Sequence, residues 1–244
     1  MRVAACLSLK IGHLKAAIHR PLEGHVKTAT VRKTAAGKWF VCFSCEVEPE
    51  PLPKSSGAVG VDVGLKDIIA TSDGESVSAP KFLRKEEKEL ARTQRRLSEA
   101  PQGSRERAKR RKIVAKVHER IKNKRTNFAH QQSRKLVNRY GFVAVEELSV
   151  KCMTKNRCLS KSIADAAWTD LIEKLSYKAE WAGREFVKIC PAYTTQDCSC
   201  CGQRQVMPLD KRVYDCPNCG LSLDRDTNAA RNIKRLGLES LGVA

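Results

Sequence analysis

Four cysteines in the last fifth of the sequence have the spacing of a metal site. Cys198 and Cys201 form one C-x-x-C pair, and Cys216 and Cys219 form a second. Two such pairs supply four thiolates that can surround one ion tetrahedrally, and zinc fits this ligand set best. Because four thiolates leave no open position for water, we predict a structural zinc ribbon and not a catalytic zinc.

The other cysteines are not predicted to bind metal. Cys200 lies between two predicted ligands, where it can either replace a neighbour or be a bystander, and we favour the bystander. Cys42 and Cys45 form a further C-x-x-C pair inside a predicted strand, where side chains alternate between faces, so that residues three apart point in opposite directions. The odd total of 11 cysteines also argues against a disulfide framework.

Two acidic residues occur where the surrounding pattern is that of an apolar strand. Asp62 lies inside VGVDVG, and Glu146 follows FVAV with Glu147 directly after it. A lone buried carboxylate is destabilising unless a partner compensates its charge, and a divalent cation is one such partner. The alternative for Asp62 is a turn at the nearby Gly64 that satisfies the carboxylate. Strand alternation places Glu146 and Glu147 on opposite faces and does not decide between them.

A third candidate lies in DRDTNAARNI, where Asp224 and Asp226 precede a predicted helix. Asp226 fits either a metal site or a helix N-cap, because its carboxylate can accept hydrogen bonds from the amides that follow. Two strand-borne acids and one at a helix start, in a basic α/β chain, are the ligands that a magnesium-dependent phosphodiester nuclease requires. Hard cations prefer oxygen ligands, and two ions about 4 Å apart can activate water and stabilise the leaving oxygen.

Strand and helix patterns position these acids. Residues 1–53 read as strands, with HVKTATVRKT and KWFVCFSCEVE as a β-hairpin, and EPEPLPKSS reads as a linker. A new domain is expected from Gly57. Strand patterns at GFVAVEEL and EFVKICP alternate with a helix pattern from about Ser162 to Trp181. This alternation predicts an α/β domain.

A basic helical hairpin is predicted within this domain. Apolar residues recur at helical spacing from residue 82 to 135, and APQGS at 100–104 interrupts them. The basic residues between them are denser than solubility needs, so we interpret the hairpin as a surface that contacts phosphates and not as a merely solvated face. The candidate nucleic-acid-binding residues are Arg95, Arg96, Arg105, Arg107, Lys109, Arg110, Arg111 and Lys112.

Composition points to the same class of partner. The 244 residues carry a formal net charge of +19, while aromatic residues make up only 5%. Such an excess of positive charge indicates a polyanionic partner, most often nucleic acid. The start, MRVAACLSLKIGHLK, lacks the basic flank of a signal peptide, and no apolar run approaches the ~18 residues of a membrane span. We therefore expect a cytoplasmic protein without a membrane partner.

Several motifs together resemble a known family. GVDVGLKD is similar to the first RuvC motif of TnpB, the OrfB-type protein of bacterial insertion sequences, which is related to type V CRISPR nucleases. VAVEELSVKCMTKN resembles the second motif and DRDTNAARNI the third, while SIADAAW, YKAEWAGR and YTTQDCSCCG resemble the sequences that lead into the family's zinc ribbon. The similarity extends from roughly His19 to Ile233, nearly all of the chain.

The resemblance implies a fold, a site and an activity. The fold would be a ribonuclease H-like (RuvC) domain with an inserted helical hairpin and zinc ribbon. By motif position, the catalytic, magnesium-binding acids would be Asp62, Glu146 and Asp226, which favours Glu146 over Glu147. The activity would be RNA-guided, magnesium-dependent cleavage of DNA, with a guide RNA derived from the transposon end. Such chains are commonly named transposases, although strand transfer is attributed to a separate enzyme.

The resemblance also implies domain ranges. Residues 1–53 would be the C-terminal part of a wedge-like β-barrel, and 57–195 the nuclease domain, which includes the hairpin at 82–135. Residues 196–221 would be the zinc ribbon, and 222–244 the final motif and its helix. Family members usually carry an N-terminal helix-turn-helix-like and helical recognition region, so we expect a chain shortened at its N-terminus.

Two other functional classes compete with an endonuclease. A non-catalytic nucleic-acid-binding fragment or regulator of the same family would explain the charge, but it would be free to lose the three acids, and all three are present. A zinc-ribbon RNA-binding structural protein would explain the charge and the cysteines, but it leaves Asp62 and Glu146 unexplained.

Overall fold

The computed structural model describes residues 3–9, 12–208 and 210–242. They divide into two units, Met1–Glu50 with Lys88–Arg120, and Pro51–Glu87 with Ile121–Ala244. The predicted ranges of the nuclease domain and of its hairpin stay predictions.

The strands of the first unit form two antiparallel pairs. β1 (Val3–Leu9) pairs with β2 (Gly12–Ile18), and β3 (His25–Lys33) pairs with β4 (Trp39–Glu46). The β3–β4 hairpin lies where alternating and β-branched residues predict it, and it turns at Gly37, whose φ is +88°. Cys42 is exposed and Cys45 is half-buried, as expected for residues on opposite faces of β4.

A mixed five-stranded sheet organises the second unit. Its strands are β5 (Ala58–Asp62), β6 (Asp67–Thr71), β7 (Ser76–Ser78), β8 (Phe142–Glu146) and β9 (Glu185–Ile189). The spatial order is β7-β6-β5-β8-β9, in which β5, β8 and β9 are parallel and the β5–β6 and β6–β7 pairs are antiparallel. Parallel β5 and β8 therefore end side by side at one edge of the sheet.

Helices lie between these strands and at the end of the described chain. They are α1 (Phe82–Glu99), α2 (Arg105–Arg139), α3 (Val150–Met153), α4 (Ser160–Ala166), α5 (Trp168–Trp181) and α6 (Arg225–Ser240). The two long helices α1 and α2 lie where the apolar spacing predicts them. The single helix predicted from about Ser162 to Trp181 is wrong, because Ala167 adopts a left-handed backbone with a φ of +53° and separates α4 from α5. Directly after the break, the Trp168 indole N–H donates to the Gly64 carbonyl at 3.1 Å.

The two faces of the sheet pack on different helices. Val59, Val61, Val143 and Val145 belong to a core that also contains Val137 of α2 and Leu171 and Leu175 of α5. Phe142, Ala144 and Ile189 instead pack with Ile233 of α6. Because strand side chains alternate, Asp62 and Glu146 lie on the face that α6 covers.

Two glycines allow α6 to approach the sheet closely. A Cβ atom at Gly60 in β5 would lie 2.0 Å from the carbonyl oxygen of Ala230 in α6. A Cβ atom at Gly237 in α6 would lie 2.6 Å from the Cβ of Ala144 in β8. Only glycine fits at either contact without displacing backbone or a packed side chain, so these residues fix the distance between α6 and the sheet.

A small two-stranded sheet precedes α6. β10 (Val213–Asp215) pairs with β11 (Ser222–Asp224), and the fully buried Tyr214 packs with Cys198 and Cys216. Within the three described ranges, no helix is long and apolar enough to cross a membrane.

Candidate functional site

Asp62 and Glu146 lie side by side at the ends of two parallel strands. Val61 of β5 is in register with Val145 of β8, so the acids that follow these residues are neighbours at the carboxyl ends of both strands. Glu146 is only 7% exposed, whereas Glu147 is exposed. Glu146 also shares the α6 side of β8 with Ala144, so the structure brings Glu146, and not Glu147, beside Asp62.

Asp226 comes to the same place from the start of α6. The N-cap is Asp224, whose carboxylate accepts from the Asp226 amide at 3.0 Å and from the Thr227 amide at 3.1 Å. The N-cap interpretation of Asp226 is therefore wrong. Its carboxylate instead faces Arg225 at 3.4 Å and Arg212 at 3.9 Å, and it lies in the first helical turn, where the helix dipole favours negative charge.

Glu146 and Asp226 both repel the charge of Asp62. Burial raises the pKa of Asp62 from its ordinary 3.8 to about 8, and the nearby charges of Glu146 and Asp226 contribute to the rise. Burial also raises the pKa of Glu146, while a hydrogen bond from the Thr194 hydroxyl acts in the opposite direction. Such a group favours either protons or a bound cation. Within the described ranges, the three acids do not form a cluster whose ligand atoms all lie within 4.8 Å of one another.

A hydrogen-bonded loop connects Glu146 to α6. The Thr194 hydroxyl donates to Glu146. The Asn232 side-chain amide donates to the Thr194 carbonyl at 2.9 Å and to the Asp197 carbonyl at 2.7 Å. One turn earlier in α6, Asn228 donates to the same Asp197 carbonyl and accepts from the Ser199 amide, both at 2.9 Å. Asn228 and Asn232 are fully buried. They hold the loop that carries both Thr194 and the first cysteine pair.

Sequence reasoning missed this loop and its two asparagines. The signal was present, because Asn228 and Asn232 are four residues apart on the side of the helix that also carries Ala229 and Ile233. Amides on an apolar helix face must find buried partners, which the loop carbonyls provide. The cap at Asp224 was also visible, because this acid directly precedes the predicted helix.

The four predicted cysteines come together. Their sulfurs all lie within 4.8 Å of one another, with 3.6 Å between Cys198 and Cys219 and 3.6 Å between Cys201 and Cys216. A tetrahedral Zn–S₄ site with bonds of about 2.3 Å requires sulfur separations of about 3.8 Å, so the arrangement fits. Cys200 is exposed and is not part of this group in the described structure.

Both cysteine pairs use the same turn. The Gly202 amide donates to the Cys198 carbonyl at 2.9 Å, and the Gly220 amide donates to the Cys216 carbonyl at 3.0 Å. Both glycines have a left-handed φ, of +75° and +72°. These turns direct the two sulfurs of each pair toward a common point, and the four cysteines can hold a metal ion.

The basic residues of the hairpin fall into two groups. Arg107 donates to the Leu97 carbonyl at 3.1 Å and to the Ala100 carbonyl at 2.7 Å, and Arg110 donates to the Arg96 carbonyl. These two side chains satisfy carbonyls at the end of α1 and so have a structural role at the turn. The remaining six candidates are exposed: Arg95, Arg96, Arg105, Lys109, Arg111 and Lys112.

Two family models match the chain. One, described as "Probable transposase" (OrfB_IS605), matches residues 42–157, and the other, the "Cas12f1-like, TNB domain", matches residues 168–233. A Streptomyces pristinaespiralis protein named "Putative RNA-guided DNA endonuclease" is 42% identical over 223 residues, which are 90% of this chain. The chain belongs to the TnpB family.

Further relatives agree with this assignment. The Escherichia coli protein named InsQ is 29% identical over 93% of the chain, and the CRISPR-associated endodeoxyribonuclease Cas12f1 of Sulfoacidibacillus thermotolerans is 27% identical over 90%. A solved Cas12f1–sgRNA–target DNA complex matches 84% of the chain with a TM-score of 0.55 at 18% identity, which shows a shared α/β fold. The chain spans 55% of the Streptomyces relative and 61% of the Escherichia coli relative.

Proposed function

We propose that the chain is a RuvC-like, magnesium-dependent endonuclease that cleaves DNA. The observation that carries this proposal is the convergence of Asp62, Glu146 and Asp226 at the carboxyl ends of β5 and β8 and the start of α6. Ligands of α/β proteins bind beside the carboxyl ends of parallel strands. The mixed sheet with α6 on one face supports a ribonuclease H-like fold for this unit.

The donor set suits hard cations. Three carboxylates provide oxygen ligands, and the raised pKa of Asp62 reflects first its burial and then the neighbouring negative charges of Glu146 and Asp226. Bound Mg²⁺ would activate the attacking water and stabilise the leaving oxygen. A two-ion site spreads its ligands further apart than a single ion does, which suits carboxylates that do not all lie within 4.8 Å of one another.

The protein's own groups have defined tasks in this proposal. Asp62 and Glu146 are fixed by adjacent strands, and Asp226 by a capped helix that two glycines hold against the sheet. Thr194 orients one carboxylate oxygen of Glu146 through its hydroxyl. Arg212 and Arg225, which flank Asp226, are positioned to meet the negative charge of a phosphodiester.

The ion, the RNA partner and the architecture of the first unit are proposed from the resemblance to the TnpB family. We propose zinc as the ion of the four cysteines, a guide RNA from the transposon end as a partner, and a wedge-like partial barrel for the strands of the first unit. The six exposed basic residues of the hairpin would supply nucleic-acid contacts. Contacts of these side chains with phosphates would position the nucleic acid without reading its base sequence.

The decisive experiment is cleavage of end-labelled single-stranded DNA by the purified 244-residue chain with Mg²⁺, beside an Asp62→Ala variant. We expect cleavage by the wild type that falls at least about a hundredfold in the variant, because loss of a metal ligand costs no less than loss of a residue that only orients such a ligand. Affinity for DNA should stay nearly unchanged, since phosphate contacts by the hairpin supply it.

The outcomes separate the two functional classes. Undiminished cleavage in Asp62→Ala would exclude this site as the source of the activity. Tight, salt-sensitive binding without cleavage by the wild type would identify the chain as a non-catalytic nucleic-acid-binding protein.

A further inference from the structure

A cationic cavity of about 250 Å³ lies in the second unit. Lys66, Lys81, Arg84 and Arg212 line it, together with parts of α4 that include Ser162 and Asp165. All of these residues belong to the same unit as the three acids. Four cations around one cavity produce a positive potential that low-dielectric walls concentrate.

The cavity lies directly beside the carboxylates. Lys66 is in the loop that leaves β5 four residues after Asp62, so one wall continues from the strand that carries the first acid. Arg212 forms another part of the lining, and its guanidinium lies 3.9 Å from the carboxylate of Asp226. A polyanionic strand that crosses the three acids therefore meets this cavity next.

The acidic group of the lining does not cancel its positive charge. Asp165 is 8% exposed, and its carboxylate is paired with Arg125 at 2.8 Å while it also accepts from the Leu83 amide at 2.9 Å. Arg84 donates to the neutral Ser162 hydroxyl at 2.9 Å. Within the described ranges, Lys66, Lys81 and Arg84 have no carboxylate partner.

The local backbone adds to this potential. Lys81 directly precedes α1, whose first turn contains no acidic residue, so the positive end of the helix dipole lies at the cavity. Lys81 also adopts a φ of +50°, a conformation that costs energy for a side chain other than glycine.

We propose that this cavity is a subsite for the DNA strand and binds a phosphate that flanks the cleaved bond. The inference rests on the proposed nuclease function and deepens it. A solvated cationic surface would not need to converge on one recess, whereas a phosphate held by several cations fixes the register of the strand relative to the carboxylates. The size of the cavity admits part of a single strand and not a duplex.

The test is a Lys66→Gln/Lys81→Gln double variant, with Lys54→Gln/Lys188→Gln as the matched control. The control lysines are exposed residues of the same unit that lie outside the cavity lining. Binding of a fluorescent single-stranded DNA is measured without Mg²⁺ at about 50 to 200 mM salt. We expect the double variant to lose about tenfold in affinity and about 0.7 in the slope of log K against log salt, since the cavity holds one phosphate and each single-strand phosphate contact contributes about 0.7.

An RNA of the same sequence completes the experiment. A loss of DNA affinity that is larger in the double variant than in the control variant supports the subsite. Wild-type DNA binding by the double variant overturns it. A loss confined to RNA also overturns it, because the cavity would then serve the RNA strand. If the double variant loses DNA affinity as expected but the wild type does not cleave, the nuclease proposal fails and the phosphate subsite stands.

Discussion

At the scale of single residues, position in a strand decides which acid can act. Glu146 and Glu147 are adjacent in sequence, but only Glu146 lies on the α6 face of the sheet, buried beside Asp62. Glu147 is exposed, and its backbone amide donates to the Ile189 carbonyl at 2.9 Å. The pair therefore offers a natural comparison in which chemistry is constant and orientation differs.

We predict that Glu146→Gln lowers Mg²⁺-dependent cleavage at least about a hundredfold, while Glu147→Gln stays within about twofold of the wild type. The glutamine side chain has the same size as glutamate and can still accept a hydrogen bond from Thr194, but it lacks the negative charge that a hard cation requires. Single-turnover cleavage rates test this. Equal losses in both variants would contradict the assignment.

The charge of Asp62 should also destabilise the protein when magnesium is absent. Its pKa is about 8 in the folded protein, against an ordinary 3.8. Between these values the folded state holds a proton that the unfolded state has released, so stability falls as pH rises from about 4 to about 8. Asp62→Asn removes this penalty. We expect the variant to unfold at a higher temperature than the wild type at pH 8, by about 2–4 °C per kcal/mol.

Thermal unfolding at pH 5 and pH 8, in zinc-containing buffer without magnesium, measures this effect. The difference between Asp62→Asn and wild type should be much smaller at pH 5 than at pH 8, because pH 5 is close to the ordinary pKa of 3.8 at which the penalty begins. A difference that is the same at both pH values would show that the variant stabilises the fold for a reason other than charge.

At the scale of elements, the close approach of α6 to the sheet brings Asp226 to the other two acids. We predict that Gly60→Ala destabilises the protein by about 1–3 kcal/mol, the range for overpacked cores, because the added Cβ would lie 2.0 Å from the Ala230 carbonyl oxygen. Cleavage should fall even at temperatures where the variant is folded, since α6 must shift and Asp226 with it.

Gly57→Ala is the control for this change. Its added Cβ would meet the Tyr140 ring at 3.2 Å, a contact that a small side-chain movement relieves. Chemical denaturation and cleavage of the two variants should therefore differ. If Gly60→Ala retains wild-type stability and activity, the glycine contact does not set the position of α6.

Sequence patterns predicted the strands that carry the acids but not how these strands are brought together. VGVDVG and FVAVE are apolar runs whose ends are visible in the sequence, and C-x-x-C spacing is local, so β5, β8 and the cysteine pairs were predictable. The short antiparallel strands β6 and β7 were not predicted. The break at Ala167 depends on tertiary contacts such as the Trp168 hydrogen bond to Gly64, which no local pattern encodes.

At the scale of the whole molecule, the four-cysteine cluster and the carboxylates share one loop. This loop runs from Thr194 to Ser199 and contains Cys198. The Thr194 hydroxyl donates to Glu146, and the side chains of Asn228 and Asn232 in α6 form hydrogen bonds with the loop backbone. The buried cysteines pack only on a small cluster around Tyr214, too little apolar surface to hold the four-cysteine cluster without an ion. Metal binding should therefore stabilise the loop and, through Thr194, the orientation of Glu146.

We predict that the purified chain contains about one zinc per molecule and that Cys198→Ser removes most of it and lowers cleavage with it. Cys200→Ser is the matched control, because this thiol is two residues away, exposed and outside the four-sulfur group. Elemental analysis and cleavage rates of both variants, with circular dichroism to verify that the rest of the fold persists, distinguish the possibilities. Full zinc content in Cys198→Ser would contradict the four-cysteine site, and zinc loss with unchanged cleavage would show that the ribbon does not act on Glu146.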